Sequence, residues 1–313
     1  MPVAAPRAQE LVFTLYGDYL LDLGRPVWVG SLIELLGELG VAAPATRTAL
    51  SRMTAKGWLT VTRGKGRSLY DLSARGRRLL EEGRERIYHP PRPKSWDGAW
   101  YLVAYSIPES RRGLRDRLRA QLAWLGCGAL TNGLWIAARD PTAEVGEIAR
   151  RLRIERHVEV FRAEHLGFSS AARLVEQSWD LAAVDRRYRA FLERWRPELD
   201  HCAVCRRATA GAASGRPLPP CTSPADCFRR RFELVHEYRV FPSIDPFLPE
   251  PLLPQGWLGE EAAKLFETYR AVLAEPAERF VAEVCAAGDR GPQTRAGSPA
   301  PSRRRISSTS LPR

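Results

Sequence analysis

Cysteine, histidine and methionine are scarce: the 313 residues hold six, five and two of them. Six cysteines are too few for a disulfide framework of this length, so the expected setting is the reducing cytoplasm. No apolar run approaches the roughly 20 residues that a membrane span needs. The first apolar stretch, Leu11 to Leu23, is broken by Asp18 and Asp22 and reads as an amphipathic helix rather than a leader. The Gly-x-Ser-x-Gly elbow, the phosphate loop and the dinucleotide fingerprint are missing, and with them the best-marked enzyme classes. No internal repeat is found.

Acid is also missing locally. From Val41 to Arg78 nine Lys/Arg stand against one acid, Asp71, and from Ala287 to Arg313 six Arg stand against Asp289. The net charge of +12 is therefore concentrated in two stretches, and the remaining chain is close to neutral. Solubility alone scatters charge, whereas a phosphate-studded partner concentrates it.

The pattern divides the chain into an α+β molecule of three units. A disordered lead (1–9) precedes a first unit (10–88), which begins with helix Leu11 to Leu23. A second helix is built from Trp28, Val29, Leu32, Ile33, Leu35, Leu36 and Leu39 at helical spacing, and Gly40 stops it. Pro44 opens a third helix ending near Lys56. Strands Leu59–Arg63 and Arg67–Leu72 flank a glycine-rich turn, and Ser73 caps a fourth helix through Tyr88. This order is that of a winged helix-turn-helix. After a proline-rich linker (89–95), residues 96–166 run strand, helix, strand, strand, helix, strand, with Asn132-Gly133 as a hairpin turn. That βαββαβ order is ferredoxin-like. Residues 167–285 are helical with a cysteine-containing insertion at 200–227, and 286–313 read as a disordered basic tail. Trp124, Trp135, Trp195 and Trp257 read as core.

On a projection of the third helix, Arg47, Thr48, Ser51, Arg52 and Ala55 share one arc, while Ala49, Leu50 and Met53 lie opposite. One side packs inward and the other carries Arg, Thr and Ser without an acid. A recognition helix needs this division, because Arg pairs with guanine edges while Ser and Thr reach phosphates. Lys56 lies just past the helix end, and Arg63, Lys65 and Arg67 surround the turn suited to a wing. Thr46, on the packing side by this projection, is kept in the candidate DNA-contacting set with Arg47, Thr48, Ser51, Arg52, Lys56, Arg63, Lys65 and Arg67.

The runs Leu11–Tyr19, Val27–Ile33, Arg47–Met53 and Gly57–Leu59 resemble the phenylacetic acid degradation repressors, the PaaX family. So do Trp100–Pro108, Gly133–Trp135, Val235–Pro242, Asp245–Pro249 and Leu252–Pro254 with Trp257. The resemblance spans nearly residues 10 to 284. It implies a winged-helix domain, a ferredoxin-like domain and a helical domain, in a homodimer on an inverted-repeat operator. It also implies release from DNA by an aryl-CoA thioester, typically phenylacetyl-CoA.

One region departs from that pattern. Cys202, Cys205, Cys221 and Cys227 are spaced C-x2-C-x15-C-x5-C, off the double close pair of a zinc ribbon. A structural zinc, with His201 or His236 as substitute ligands, and thiols in a loose insertion both remain open. His236, Arg239 and Asp245 are candidates for contacting an acyl-CoA; equally, Arg239 and Asp245 are candidates for an internal ion pair. The rival reading is a metal-dependent nuclease on the ferredoxin-like domain, since small CRISPR-associated nucleases share its strand order. Those enzymes need a carboxylate where this chain has Ser106, with Glu109 and Asp140 nearby, and a hydroxyl alone binds a hard cation poorly.

Overall fold

The computed structural model describes residues 8–64, 66–210 and 223–290, with backbone alone for 203–210. Helix α1 (Ala8–Leu15) buries Leu11, Val12 and Leu15, but it does not continue to Leu23 as one α-helix. A π turn (Tyr16–Leu20) and a 3-10 turn (Leu21–Leu23) come next. The extra residue of a π turn shifts the helical phase of the residues beyond it, and Asp18, expected on the polar face, ends 1% exposed.

Strand β1 (Val27–Trp28) takes Trp28, expected in the second helix, into pairing with Leu69 before α2 (Val29–Gly37) begins. Helix α3 (Ala43–Ala55) carries Pro44 in its first turn. Strands β2 (Leu59–Gly64) and β3 (Arg67–Leu72) form an antiparallel hairpin, and the sheet order is β1-β3-β2. Helix α4 (Ala74–Tyr88) starts where the Ser73 hydroxyl accepts a hydrogen bond from the Gly76 amide at 3.0 Å. Gly76 is required there, because a Cβ would lie 2.1 Å from the Trp58 carbonyl oxygen.

The central unit has β4 (Ala99–Tyr105), α5 (Arg112–Trp124), β5 (Gly128–Thr131), β6 (Leu134–Ala137), α6 (Thr142–Leu152) and β7 (Val158–Glu164). Its sheet is antiparallel throughout with the order β5-β6-β4-β7, the ferredoxin-like arrangement. The hairpin at Asn132-Gly133 forms, with Gly133 at φ +95°. Val103 and Trp135 face α5 and α6, whereas Trp100 and Ile136 face α7 (Ala171–Ser178) and Leu248. Both faces of β4 and β6 are thus packed, while Phe161 on the edge strand β7 stays 52% exposed.

Helices α8 (Leu181–Ala210), α9 (Pro224–Tyr238) and α10 (Gly259–Arg290) complete the chain. Tyr188, Phe191 and Trp195 of α8 pack with Tyr238, Phe241, Phe266 and Tyr269. A capping box between Ser223 and Asp226 starts α9. The last helix extends to Arg290, so residues 286–290 of the expected tail are helical. Phe228, Phe232, Ala277, Val281 and Val284 of α9 and α10 lie in one core with the inner residues of α1, α2 and α3. The first unit thus folds against the last two helices. Ser31 donates to the Val284 carbonyl at 3.1 Å, and Arg25 meets Asp289 at 2.6 Å.

A buried ion pair sits where these helices converge. Arg231 of α9 places Nε 3.0 Å and Nη2 3.2 Å from the two carboxylate oxygens of Asp18, and Nη1 2.7 Å from Glu278. The Tyr88 hydroxyl, at the end of α4, donates to Asp18 at 2.8 Å, and Arg270 Nε is 3.6 Å away. Removing the carboxylate leaves enclosed Arg231 with only the exposed Glu278 beside it, a change that costs about 3–5 kcal/mol. Asp18→Ala is expected to lose that much stability in urea denaturation; a loss under about 1 kcal/mol, the scale of an exposed pair, would contradict the assignment.

Candidate nucleic-acid interface

Arg47, Thr48, Ser51 and Arg52 are exposed on the outer side of α3, above buried Ala49, Leu50 and Met53. The Thr48 hydroxyl donates back to the Pro44 carbonyl at 2.9 Å. Thr46 leaves the candidate set. It is 0% exposed, on the face that packs against the other helices, and its hydroxyl cannot reach a partner outside. Lys56 holds its ammonium 4.9 Å over the Trp58 ring and 3.5 Å from Gln9 Oε1. Exposed Arg75 donates to the Lys56 carbonyl at 3.4 Å, which brings another cation to the same helix end. Arg75 is one of the cations of the basic stretch, but nothing in the spacing along the chain marks its position.

On the β2–β3 hairpin, Arg63 is exposed and Lys65 lies outside the described residues. Arg67 turns away from the tip. It donates to the Gly288 carbonyl at 2.9 Å and lies 5.2 Å over the Trp28 ring. A cation at the carbonyl end of α10 is favoured by the helix dipole, so Arg67 fastens the base of the hairpin to the scaffold.

The electrostatic contrast with other faces is plain. Arg84 meets Asp22, Arg115 meets Glu109, and Arg194 meets Glu233 and Glu237. Among the described residues, Arg47, Arg52, Lys56 and Arg63 form no ion pair. Four exposed cations thus stand on or beside one helix and one hairpin with no carboxylate to neutralise them, an arrangement complementary to a polyanion.

The other candidates separate in space. His236 Nδ1 is 2.9 Å from Thr14 Oγ1, and its ring stacks on Phe232, so it joins α9 to α1. Burial, and after it the charge of Arg239, lowers its pKa to about 4, leaving the imidazole neutral near pH 7. Arg239 faces Glu10 at 3.7 Å. Asp245 is buried elsewhere, accepting from the Tyr188 hydroxyl at 2.6 Å and the Phe247 amide at 2.7 Å. Burial raises its pKa against these hydrogen bonds. The internal pairing of Arg239 with Asp245 therefore does not form, because their partners come from different helices.

Cys202 is buried in the aromatic core, with Cys227 packed against that core. Cys221 and the Cys205 side chain lie outside the described residues, among which no three metal-binding side chains converge. Ser106 is exposed just past β4, while Glu109 is engaged by Arg115 at 2.7 Å and Asp140 by the Thr142 amide at 2.9 Å. Trp135 and Trp195 are core, whereas Trp124 is 43% exposed, contrary to the expectation of a core residue.

Family models match the chain in three consecutive pieces. They are the PaaX-like protein over residues 7–76, the PaaX protein central Cas2-like domain over 93–175, and the PaaX-like protein C-terminal domain over 179–283. Transcriptional repressor PaaX from Escherichia coli (strain K12) is 34% identical over 277 residues, 88% of this chain and 83% of that protein. Among solved structures, the uncharacterized protein Rv0674 from Mycobacterium tuberculosis covers 88% of this chain and 98% of its own. Its TM-score is 0.51 at 22% identity, a likeness of fold.

The His236 contact has a pH signature. Its folded pKa lies below the ordinary 6.5, so the unfolded chain takes up a proton that the folded one refuses. This contribution to stability is complete above pH 6.5 and is lost as the pH falls toward 4. His236→Gln is therefore expected to flatten the dependence of thermal midpoint on pH across that window. An unchanged slope would place the acid sensitivity elsewhere.

Proposed function

Since the chain belongs to the PaaX family, we propose that it is a transcriptional repressor that grips duplex DNA with a winged helix-turn-helix in residues 10–88. Helix α3 enters the major groove, where Arg47 and Arg52 read base edges and Thr48 and Ser51 lie against phosphates. The β2–β3 hairpin is the wing, with Arg63 and Lys65 tracking the backbone, and Lys56 and Arg75 serve phosphates at the end of α3. The single observation that carries this reading is the exposed cationic face of α3 and the hairpin, which meets no carboxylate among the described residues.

The finer reading rests on the family. The repressor acts as a homodimer on an inverted repeat, so two copies of α3 enter successive major grooves about 34 Å apart. Its targets are genes of phenylacetate-type aromatic catabolism, and an aryl-CoA thioester such as phenylacetyl-CoA releases it. The nuclease reading finds no support, because the two carboxylates considered with Ser106, Glu109 and Asp140, are already held by Arg115 and Thr142.

The test uses duplexes selected by the purified protein from a random pool. Arg52→Ala is expected to weaken binding by about 1–3 kcal/mol and to relax preference at one base position. Lys65→Ala is expected to weaken all duplexes alike and to reduce the slope of log affinity against log salt by about one. Wild-type affinity in the protein carrying both changes overturns the assignment.

A further inference from the structure

Three of the large apolar side chains left exposed do not scatter: Leu79 (46%), Trp124 (43%) and Val240 (38%) line one pocket. Single exposed apolar residues are ordinary, but their convergence on a concave site is not. The pocket has a volume of about 380 Å³, within the range of small-molecule sites. Its walls come from all three units. Phe13 belongs to α1 and Leu79 to α4, Trp124 ends α5, and Val240 lies just past α9.

One charged group in this wall is poorly satisfied. Arg239 is enclosed enough for burial to lower its pKa, and its Nε is buried without a hydrogen-bond partner. Its nearest carboxylate, Glu10, is 3.7 Å away and half-exposed. Arg84, also in the wall, is by contrast held by Asp22 at 2.7 Å. Asp18 is in the lining as well, and Arg231 and Arg270 already neutralise it. An under-neutralised guanidinium beside an aromatic and aliphatic wall fits a ligand with a flat apolar body and an adjoining oxygen acceptor, a carboxylate or a carbonyl.

We infer that the pocket between α1, α4, the end of α5 and the end of α9 is the effector site: it takes an aryl-acyl group, with Arg239 meeting the acyl oxygen and Phe13, Trp124 and Val240 enclosing the ring. In an aryl-CoA thioester the ring and thioester carbonyl enter the pocket while the phosphates, a pantetheine arm away, stay outside it, and the inference rests on the effector reading of the proposed function. The position also explains how occupancy reaches the DNA. Arg86 of α4 donates to the Trp124 carbonyl at 2.6 Å and the Pro242 carbonyl at 2.9 Å, with its guanidinium 4.1 Å over the Trp124 ring. This contact staples the three units beside the pocket. Helix α4 continues directly from the wing strand β3, and α1 packs on α3, so a ligand that spreads α4 from Trp124 displaces wing and recognition helix together.

The test uses full-length wild-type protein, Val240→Trp, which fills the pocket from its rim, and Arg239→Gln. Phenylacetyl-CoA is titrated into each protein–DNA complex, and its direct binding is measured by calorimetry. The expected result is unchanged DNA affinity without ligand for Val240→Trp, with at least tenfold more phenylacetyl-CoA needed for release. Arg239→Gln is expected to weaken ligand binding at least tenfold. Release of both variants at the wild-type concentration overturns the pocket and leaves the repressor and its effector class standing. Failure of the wild type to bind phenylacetyl-CoA overturns the effector reading and the pocket assignment together, while the DNA interface stands on its own test.

Discussion

Asp18 and Arg231 both have almost completely buried side chains, and each is tolerable there chiefly because of the other, with Arg270 and Glu278 completing the cluster. An isolated charge in a low-dielectric interior costs many kcal/mol, so the two-pronged contact between guanidinium and carboxylate must form for the surrounding helices to close. Its members come from far apart: a turn after α1, the end of α4 through Tyr88, α9, and α10 through Arg270 and Glu278. Closing this pair requires the amino-terminal helices and the carboxy-terminal helices to fold against one another. The common apolar core of Leu15, Leu32, Leu50, Phe228, Phe232 and Val281 arises from the same meeting.

That constraint divides the basic residues into two groups. Arg67 and Arg231 are consumed internally, one by the carbonyl end of α10 and one by Asp18. Arg47, Arg52 and Arg63 stay on the outside, on elements whose opposite faces are pinned by the core. A recognition surface needs such a division, since its side chains must keep solvent contact while their backbone stays fixed. The carboxy-terminal helices therefore act as a scaffold for the first unit as well as a separate layer of the molecule. Helix α9 packs directly against α1, where Thr14 meets His236.

Much of this was readable along the chain. Helical spacing of Leu32, Leu35 and Leu36, the Pro44 start of α3, and the Asn132-Gly133 turn are local signals, and each led to the element observed. The outward cations of α3 also emerged from periodicity, since a helix of known phase distributes its own side chains. Where local signals misled, the deciding partner lay far away in sequence. Trp28 joined a strand because β3 offered it pairing, and Asp18 turned inward because Arg231 awaited it 213 residues later. The separation of Arg239 from Asp245 belongs to the same class: adjacency in sequence did not survive a choice between Glu10 and Tyr188.

The amino-acid sequence by itself determined the order of elements, the amphipathic division of α3 and the concentration of positive charge, because these depend on neighbours within a few turns of chain. Tertiary structure alone decided which arginines remain available, that Trp124 stands at a three-way junction instead of in a core, and that the first and last helices share one interior. Those outcomes depend on burial and on partners brought together by folding, and the free energy of a charge or a ring is set by its surroundings in space rather than by its neighbours in the chain.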